Sequence, residues 1–258
     1  MGHLFPVCVK CAGVASLPQP TPRLVLVVDD DPVSLAIAAL LLESEGCDVL
    51  QAESGEEAVE LLAALNHKSE LPHSILTDLR MPGLSGTELA QRLRRATPQA
   101  LLLAMSASPP PAVEGFDGVI KKPLTPEALA TVMAPRHMAP CSEAAAPYSH
   151  SDDLLDSKVF DRLRRAISPA ALEEVVATFF HDTRTRIAAM RAADPDTRRR
   201  EAHTVKGGAA MIGALRISLI AAAVESGIDD TEACSRKLDE MEAYCHRTEI
   251  TLKQRLET

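Results

Sequence analysis

Between Arg23 and Met133, short aliphatic runs alternate with stretches whose apolar residues recur every three or four positions. "LVLVV" (24–28) has no polar position, the pattern of a strand buried on both faces. It runs into Asp29-Asp30-Asp31-Pro32, after which "VSLAIAALLLESEG" carries helical spacing closed by Gly46. The alternation continues with a strand "DVLQA", a helix "SGEEAVELLAAL" with Ser54 as N-cap, and a strand "SILTD". A turn "MPGLSG", a helix "TELAQRLRRA" and strands "ALLLAMS" and "GVIKKP" follow. A last helix, "TPEALATVM", has Thr125 as cap and Pro126 at its first position. Continuous apolar strands alternating with helices predict an α/β doubly wound, five-stranded parallel sheet covered on both faces.

One connection breaks the rhythm. "MSASPPP" (105–111) leaves only Ala107 to Gly118 between Ser106 and Val119. A parallel crossover needs roughly 10–12 residues, so the connection closes without room for a full helix. Proline is tolerated only in a first helical turn, which limits the fourth helix to about a turn and a half around Pro111–Phe116.

Beyond residue 134 the strand signal disappears. Residues 135–151, rich in Pro, Ala and Ser and without periodicity, read as a linker. Helical spacing then returns near 152–166, 168–192, 196–211, 214–226 and 230–256, with breaks at Ser168-Pro169, Asp194-Pro195, Gly213 and Gly227. This predicts an all-α antiparallel four-helix bundle. The expected organisation is a tail at 1–22, an α/β domain at 23–134, a linker at 135–151 and a helical domain at 152–258.

Composition narrows the function. Residues 23–134 carry 8 Lys and Arg against 16 Asp and Glu, and residues 151–258 carry 17 against 19. Neither balance suits nucleic acid, while an acidic α/β half suits a bound cation. No run of 18 apolar residues predicts membrane insertion, and a secretory signal would lack its basic n-region. Cys8 and Cys11 form a lone CxxC without a second pair, so no zinc site is expected there. The six scattered cysteines suit a reduced, cytoplasmic protein.

In an open parallel sheet, chemistry gathers beyond the carboxyl ends of the strands. Those ends carry Asp29 and Asp30, Asp78, Ser106 and Lys122. Converging carboxylates repel one another unless a cation neutralises them, and all-oxygen ligation suits Mg²⁺. A lysine and a hydroxyl across the crevice hold an anion beside the metal, the layout of phosphoryl transfer. Any one of these residues is as well read as a strand-end cap; five at matching strand ends are not.

With "VVDDDP", "ILTDLRMPGLSG", "MSAS" and "GFDGVIKKP", residues 23–134 resemble the response-regulator receiver family, whose fold is flavodoxin-like. The resemblance implies that Asp78 is a phosphoacceptor attacking a partner's phosphohistidine. It implies Mg²⁺ held by Asp29, Asp30, Asp78 and the backbone carbonyl of Arg80, with Ser106 and Lys122 holding phosphoryl oxygens. Lys121, one residue off, would face the other side of the strand. Val119 stands where an aromatic switch residue is usual, and the fourth helix is shortened, so signalling through the usual output face is not expected.

In the helical half, "RRREAHTVKGGAAMIGA" (198–214) stands out. Taking His203 as zero and about 100° per residue, Lys206 falls near 300°, Gly207 near 40° and Ala210 near 340°. Val205, Gly208, Ala209 and Ile212 form the opposite face, expected to line the core. His203 is expected to face solvent, with Gly207 as a close-approach surface and Gly208 as a site of helix packing. This half resembles a histidine-containing phosphotransfer (HPt) domain. The resemblance implies a phosphoryl group on His203, neutralised by Lys206, with Gly207 leaving room for a receiver. Arg199 either adds positive potential or is a solvated charge.

Together these readings predict an intermediate of a two-component phosphorelay, not a kinase, since the chain has no glycine-rich phosphate loop. Its partners would be a sensor histidine kinase and other receiver or HPt domains, and a monomer is the expected state. A linker of this length permits transfer within the chain or separate service to different partners. The rival reading is a response regulator whose helical half is an output module or kinase-gating scaffold without phosphohistidine chemistry.

Overall fold

The computed structural model describes residues 23–65, 71–108, 110, 112–133, 154–227 and 231–256. The 1–22 tail with Cys8 and Cys11, the 135–151 linker, Pro109 and Pro111 lie outside the described residues.

The first half is built as β1 (Leu24–Val28), α1 (Pro32–Ser44), β2 (Asp48–Ala52), α2 (Gly55–Leu65), β3 (Ser74–Asp78), α3 (Gly86–Ala96), β4 (Leu101–Ser106), β5 (Gly118–Lys121) and α4 (Pro126–Val132). The strands form one parallel sheet in the order β2-β1-β3-β4-β5. Period-two alternation sends Leu26, Val28, Ile75 and Leu102 to the face covered by α2 and α3. Val25, Val27, Leu76, Leu101 and Leu103 face the other way, under α1 and α4.

Local chemistry fixes the helix starts. Asp31 caps α1, its carboxylate accepting from the amides of Val33 and Ser34, with Pro32 opening the helix. Ser54 caps α2, its Oγ accepting from the Glu57 amide, while Glu57 Oε2 reaches back to accept from the Glu53 amide. Thr125 caps α4 through the Ala128 amide.

Among the described residues, the β4–β5 connection contains no helix. A single turn closes it, the Phe116 amide donating to the Val113 carbonyl at 3.2 Å. Phe116 packs against the α2–α3 face. Asp117 then ties the connection down, accepting from the Leu102 amide at 2.8 Å and pairing with Arg94 at 2.7 Å.

The second half is α5 (Ser157–Ala166), α6 (Pro169–Ala192), α7 (Pro195–Ile212), α8 (Leu215–Glu225) and α9 (Thr231–Leu256). Helices α6 to α9 pack as a four-membered ring, each against its sequence neighbour and α9 against α6. Ser168 and Asp194 cap α6 and α7, and Gly213, at φ 81°, ends α7 in the left-handed region. α5 starts five residues later than the sequence pattern placed it, at its cap Asp156.

The two halves share one core. The apolar cluster under α1 and α4 continues without a break into Phe160, Val175, Phe179 and Met211 of the helical half. α1 packs against α5, α6 and α7, so it is covered on both sides. Arg162 of α5 also donates to the Leu124 carbonyl at 3.2 Å. No described helix is long and apolar enough to cross a membrane.

Candidate functional site

The strand ends bring Asp29, Asp78 and Lys122 into direct contact. Lys122 Nζ donates to Asp29 Oδ2 at 2.7 Å and to Asp78 Oδ2 at 2.6 Å, with Ser34 Oγ of α1 at 3.3 Å. All three charged side chains are buried. Burial works against the Lys122 ammonium, but Asp29, Asp78 and Asp31 hold it protonated above the ordinary lysine range. The Arg80 amide donates to Asp78 Oδ1 at 2.8 Å, fixing the carboxylate from the loop that follows β3. Ser106 is buried at the end of β4, where its Oγ accepts from the Ser108 amide at 3.2 Å. Lys121 is only partly exposed.

The carboxylates carry more negative charge than Lys122 compensates. Burial first, then the charges of Asp78 and Asp31, push Asp30 up to about 6. Burial pushes Asp29 up to about 8 against the opposing pull of Lys122. Among the described residues no hydrogen bond or ion pair reaches the Asp30 carboxylate, and no three His, Cys, Asp or Glu side chains stand ready to enclose a metal. Lys122 holds one oxygen each of Asp29 and Asp78. Mg²⁺ is bound by one or two carboxylates with water, so the free Asp30 carboxylate beside Asp78 fits it without such an enclosure.

Above this pocket lies α7. A β-carbon on Gly207 would stand 3.5 Å from Lys122 Nζ, and one on Gly208 only 2.8 Å from Asp31 Oδ2. The HxxKG helix is therefore seated on the strand-end pocket of the same chain. His203 is buried at 8% exposure, where the sequence pattern put it in solvent. Glu225 of α8 holds its Nδ1, and Asp30, Arg80 and Ser108 of the α/β half line the cavity it faces. The close packing expected at Gly208 is against the cap of α1. Gly207 has ordinary contact distance to spare, so the tighter constraint falls on Gly208.

His203 and Lys206 converge on Glu225, at the end of α8. His203 Nδ1 lies 2.7 Å from Glu225 Oε1, and Lys206 Nζ pairs with Oε2. Burial alone would raise the Glu225 carboxyl; the hydrogen bonds from His203 and Lys206 overcome it and bring it down to about 2. The Arg80 side chain crosses from the other half, its Nη1 3.0 Å from the same Oε1. Lys206 Nζ also lies 3.3 Å from Ser108 Oγ. A cavity of about 910 Å³ between the halves is lined by Asp30, Arg80, Ser108, His203, Lys206 and Glu225, among others. Arg199 lines it too, though its guanidinium pairs with Asp196 at 3.3 Å.

Sequence reasoning missed Glu225 and the Arg80 side chain. Glu225 left one trace: it is the only acidic residue in the apolar helix "LRISLIAAAVE". The Arg80 side chain left none, because its partner is 145 positions away in the chain.

Residues 25–134 match the model of the response regulator receiver domain, and residues 174–256 match the Hpt domain. The Positive alginate biosynthesis regulatory protein of Pseudomonas aeruginosa is 33% identical over 171 residues, 59% of this chain and 63% of that protein. The Virulence sensor protein BvgS of Bordetella pertussis is 28% identical over 235 residues, 81% of this chain but 18% of that protein. This chain thus spans less than two thirds of either relative. A chemotaxis response regulator of Vibrio cholerae covers 44% of this chain with 97% of its own, at 24% identity and a TM-score of 0.38. A Saccharomyces cerevisiae co-crystal structure of a histidine phosphotransfer signaling protein with a downstream receiver domain matches over 43% of this chain and 85% of that one, at 26% identity and a TM-score of 0.36.

Proposed function

We propose that this chain, a response regulator receiver domain joined to an Hpt domain, passes a phosphoryl group between Asp78 and His203 within one molecule. One observation carries the reading: α7 lies on the receiver pocket with Gly207 against Lys122, the lysine that holds Asp78, and His203 lines one cavity with Asp30 and Arg80 beside that carboxylate.

The chemistry is a displacement at phosphorus. With phosphoryl on Asp78, the free Nε2 lone pair of His203 attacks phosphorus, the acyl–oxygen bond to phosphorus breaks, and the Asp78 carboxylate leaves with the bonding electrons. Nε2 is the available nitrogen because Nδ1 is held by Glu225, which also stabilises the positive charge the ring acquires. Lys122 and Lys206 stand on the two sides to neutralise phosphoryl oxygens, and the Ser106 hydroxyl adds a donor on the receiver side. Mg²⁺, held by Asp30 and Asp78 with Asp29 behind them and the Arg80 carbonyl, would neutralise the same oxygens. Phosphoryl enters from, or leaves to, a sensor histidine kinase or another receiver or Hpt domain.

Phosphohistidine survives alkali and phosphoaspartate does not. Loading Asp78 with labelled acetyl phosphate and Mg²⁺ is expected to produce alkali-stable label on His203 of the wild-type chain. A mixture of Asp78→Asn and His203→Gln chains is expected to produce far less. Equal label in the mixture would overturn transfer within one molecule, and no alkali-stable label in the wild type would overturn the reading.

A further inference from the structure

Glu225 is held from both halves of the molecule. Its Oε1 takes His203 Nδ1 at 2.7 Å and Arg80 Nη1 at 3.0 Å, and its Oε2 takes Lys206. Arg80 in turn is fixed at the other reacting centre, since its amide donates to Asp78 Oδ1 at 2.8 Å. One residue therefore touches the phosphoacceptor carboxylate through its main chain and, through its side chain, the carboxylate that orients the histidine.

Stability does not explain the side-chain contact. The Arg80 side chain is 55% exposed, and an ion pair so open to solvent contributes little to folding. Its geometry carries more weight, because the oxygen it binds is the one that orients the His203 ring. We infer that the Arg80 guanidinium is a specificity-determining group that matches this receiver to an Hpt domain carrying a carboxylate at the position of Glu225. A donor or acceptor domain without that carboxylate would dock with the guanidinium unpaired and with its histidine less firmly aimed. The inference rests on the proposed relay between Asp78 and His203. It adds to that relay a rule for which Hpt domain this receiver accepts.

A double-mutant cycle on the full chain tests it. Asp78 is loaded with labelled acetyl phosphate, and the single-turnover rate of label reaching His203 is measured in four chains: wild type, Arg80→Ala, Glu225→Gln and the double variant. Glu225→Gln keeps an oxygen to accept from Nδ1 but removes the charge. Arg80→Ala is expected to slow transfer about tenfold in the wild-type background and less than about twofold with Glu225→Gln, the non-additivity of directly paired groups. Arg80→Lys is expected to recover most of the rate. Raising ionic strength is expected to slow the wild type and leave Arg80→Ala nearly unchanged, which a purely structural role would not produce. An equal loss in both backgrounds would overturn the inference and leave the relay standing. Absence of alkali-stable label in the wild type would overturn the relay and the inference with it.

Discussion

Gly207 and Gly208 are adjacent in a helix interior, so replacing either with alanine brings the same intrinsic gain of about 1 kcal/mol. The environments differ. A methyl on Gly207 meets Lys122 Nζ at ordinary contact distance, whereas a methyl on Gly208 meets Asp31 Oδ2 at 2.8 Å. Asp31 cannot swing aside freely, because its carboxylate also accepts from the Val33 and Ser34 amides and from Ser34 Oγ at 2.6 Å. Losing such a cap costs about 0.5–2 kcal/mol. Gly208→Ala is therefore expected to be less stable than Gly207→Ala by about 1–2 kcal/mol in denaturant unfolding, the shared propensity gain cancelling. Equal stabilities would mean that α7 does not rest on the α1 cap in solution. At this scale the sequence was informative about which residues carry chemistry and silent about what they touch. Asp29, Asp78 and Lys122 sat at strand ends that the alternation of elements located, and they meet in one ion cluster. His203 was legible as a motif, but the cavity it lines is shared with Asp30, Arg80 and Ser108 of the other half, which no local spacing records.

At the scale of elements, α1 joins the two halves. Its receiver side is packed by Ile37, Ala38 and Leu41, and its other side is apolar too, offering Ala36, Ala39 and Leu40 to a groove shared with Val175 and Thr178 of α6. The sequence signalled this weakly: "VSLAIAALLLES" is apolar nearly all round, the mark of a helix buried on every side. The five strands, the caps at Thr125 and Ser54 and the shortening of the fourth helix were all readable because each rests on local period, capping or loop length. The covering of α1 was not, because the covering helix could have come from this chain or from another. Ala36→Glu keeps a good helix former in α1 but sets a carboxylate in the groove beside Glu174 and Glu43. The two halves are expected to separate, with a larger radius of gyration in solution scattering and unchanged far-ultraviolet circular dichroism. An unchanged radius would show that the shared core does not depend on this groove.

At the scale of the molecule, the docked arrangement sets internal transfer against exchange with other proteins. Asp78 is only 4% exposed and Lys122 2%, and the helix bearing His203 lies against Lys122 at Gly207. An external phosphohistidine has to approach the same pocket along the same face of α1, so it competes with a domain tethered at high effective concentration. A small phosphodonor faces no such competition, because the 910 Å³ cavity admits it beside Asp30 and Ser108. The two routes separate in one comparison. Opening the molecule with Ala36→Glu is expected to raise the rate at which a phosphorylated external Hpt domain or kinase loads Asp78, by about tenfold if docking holds the closed form at ten to one. The same substitution is expected to lower the alkali-stable label reaching His203, since the tether no longer delivers α7 in register. Loading by acetyl phosphate is expected to change much less than loading by the protein donor. If protein donors load the closed wild type as fast as the opened variant, the Hpt domain leaves its seat faster than donors arrive. Docking would then serve transfer without restraining it.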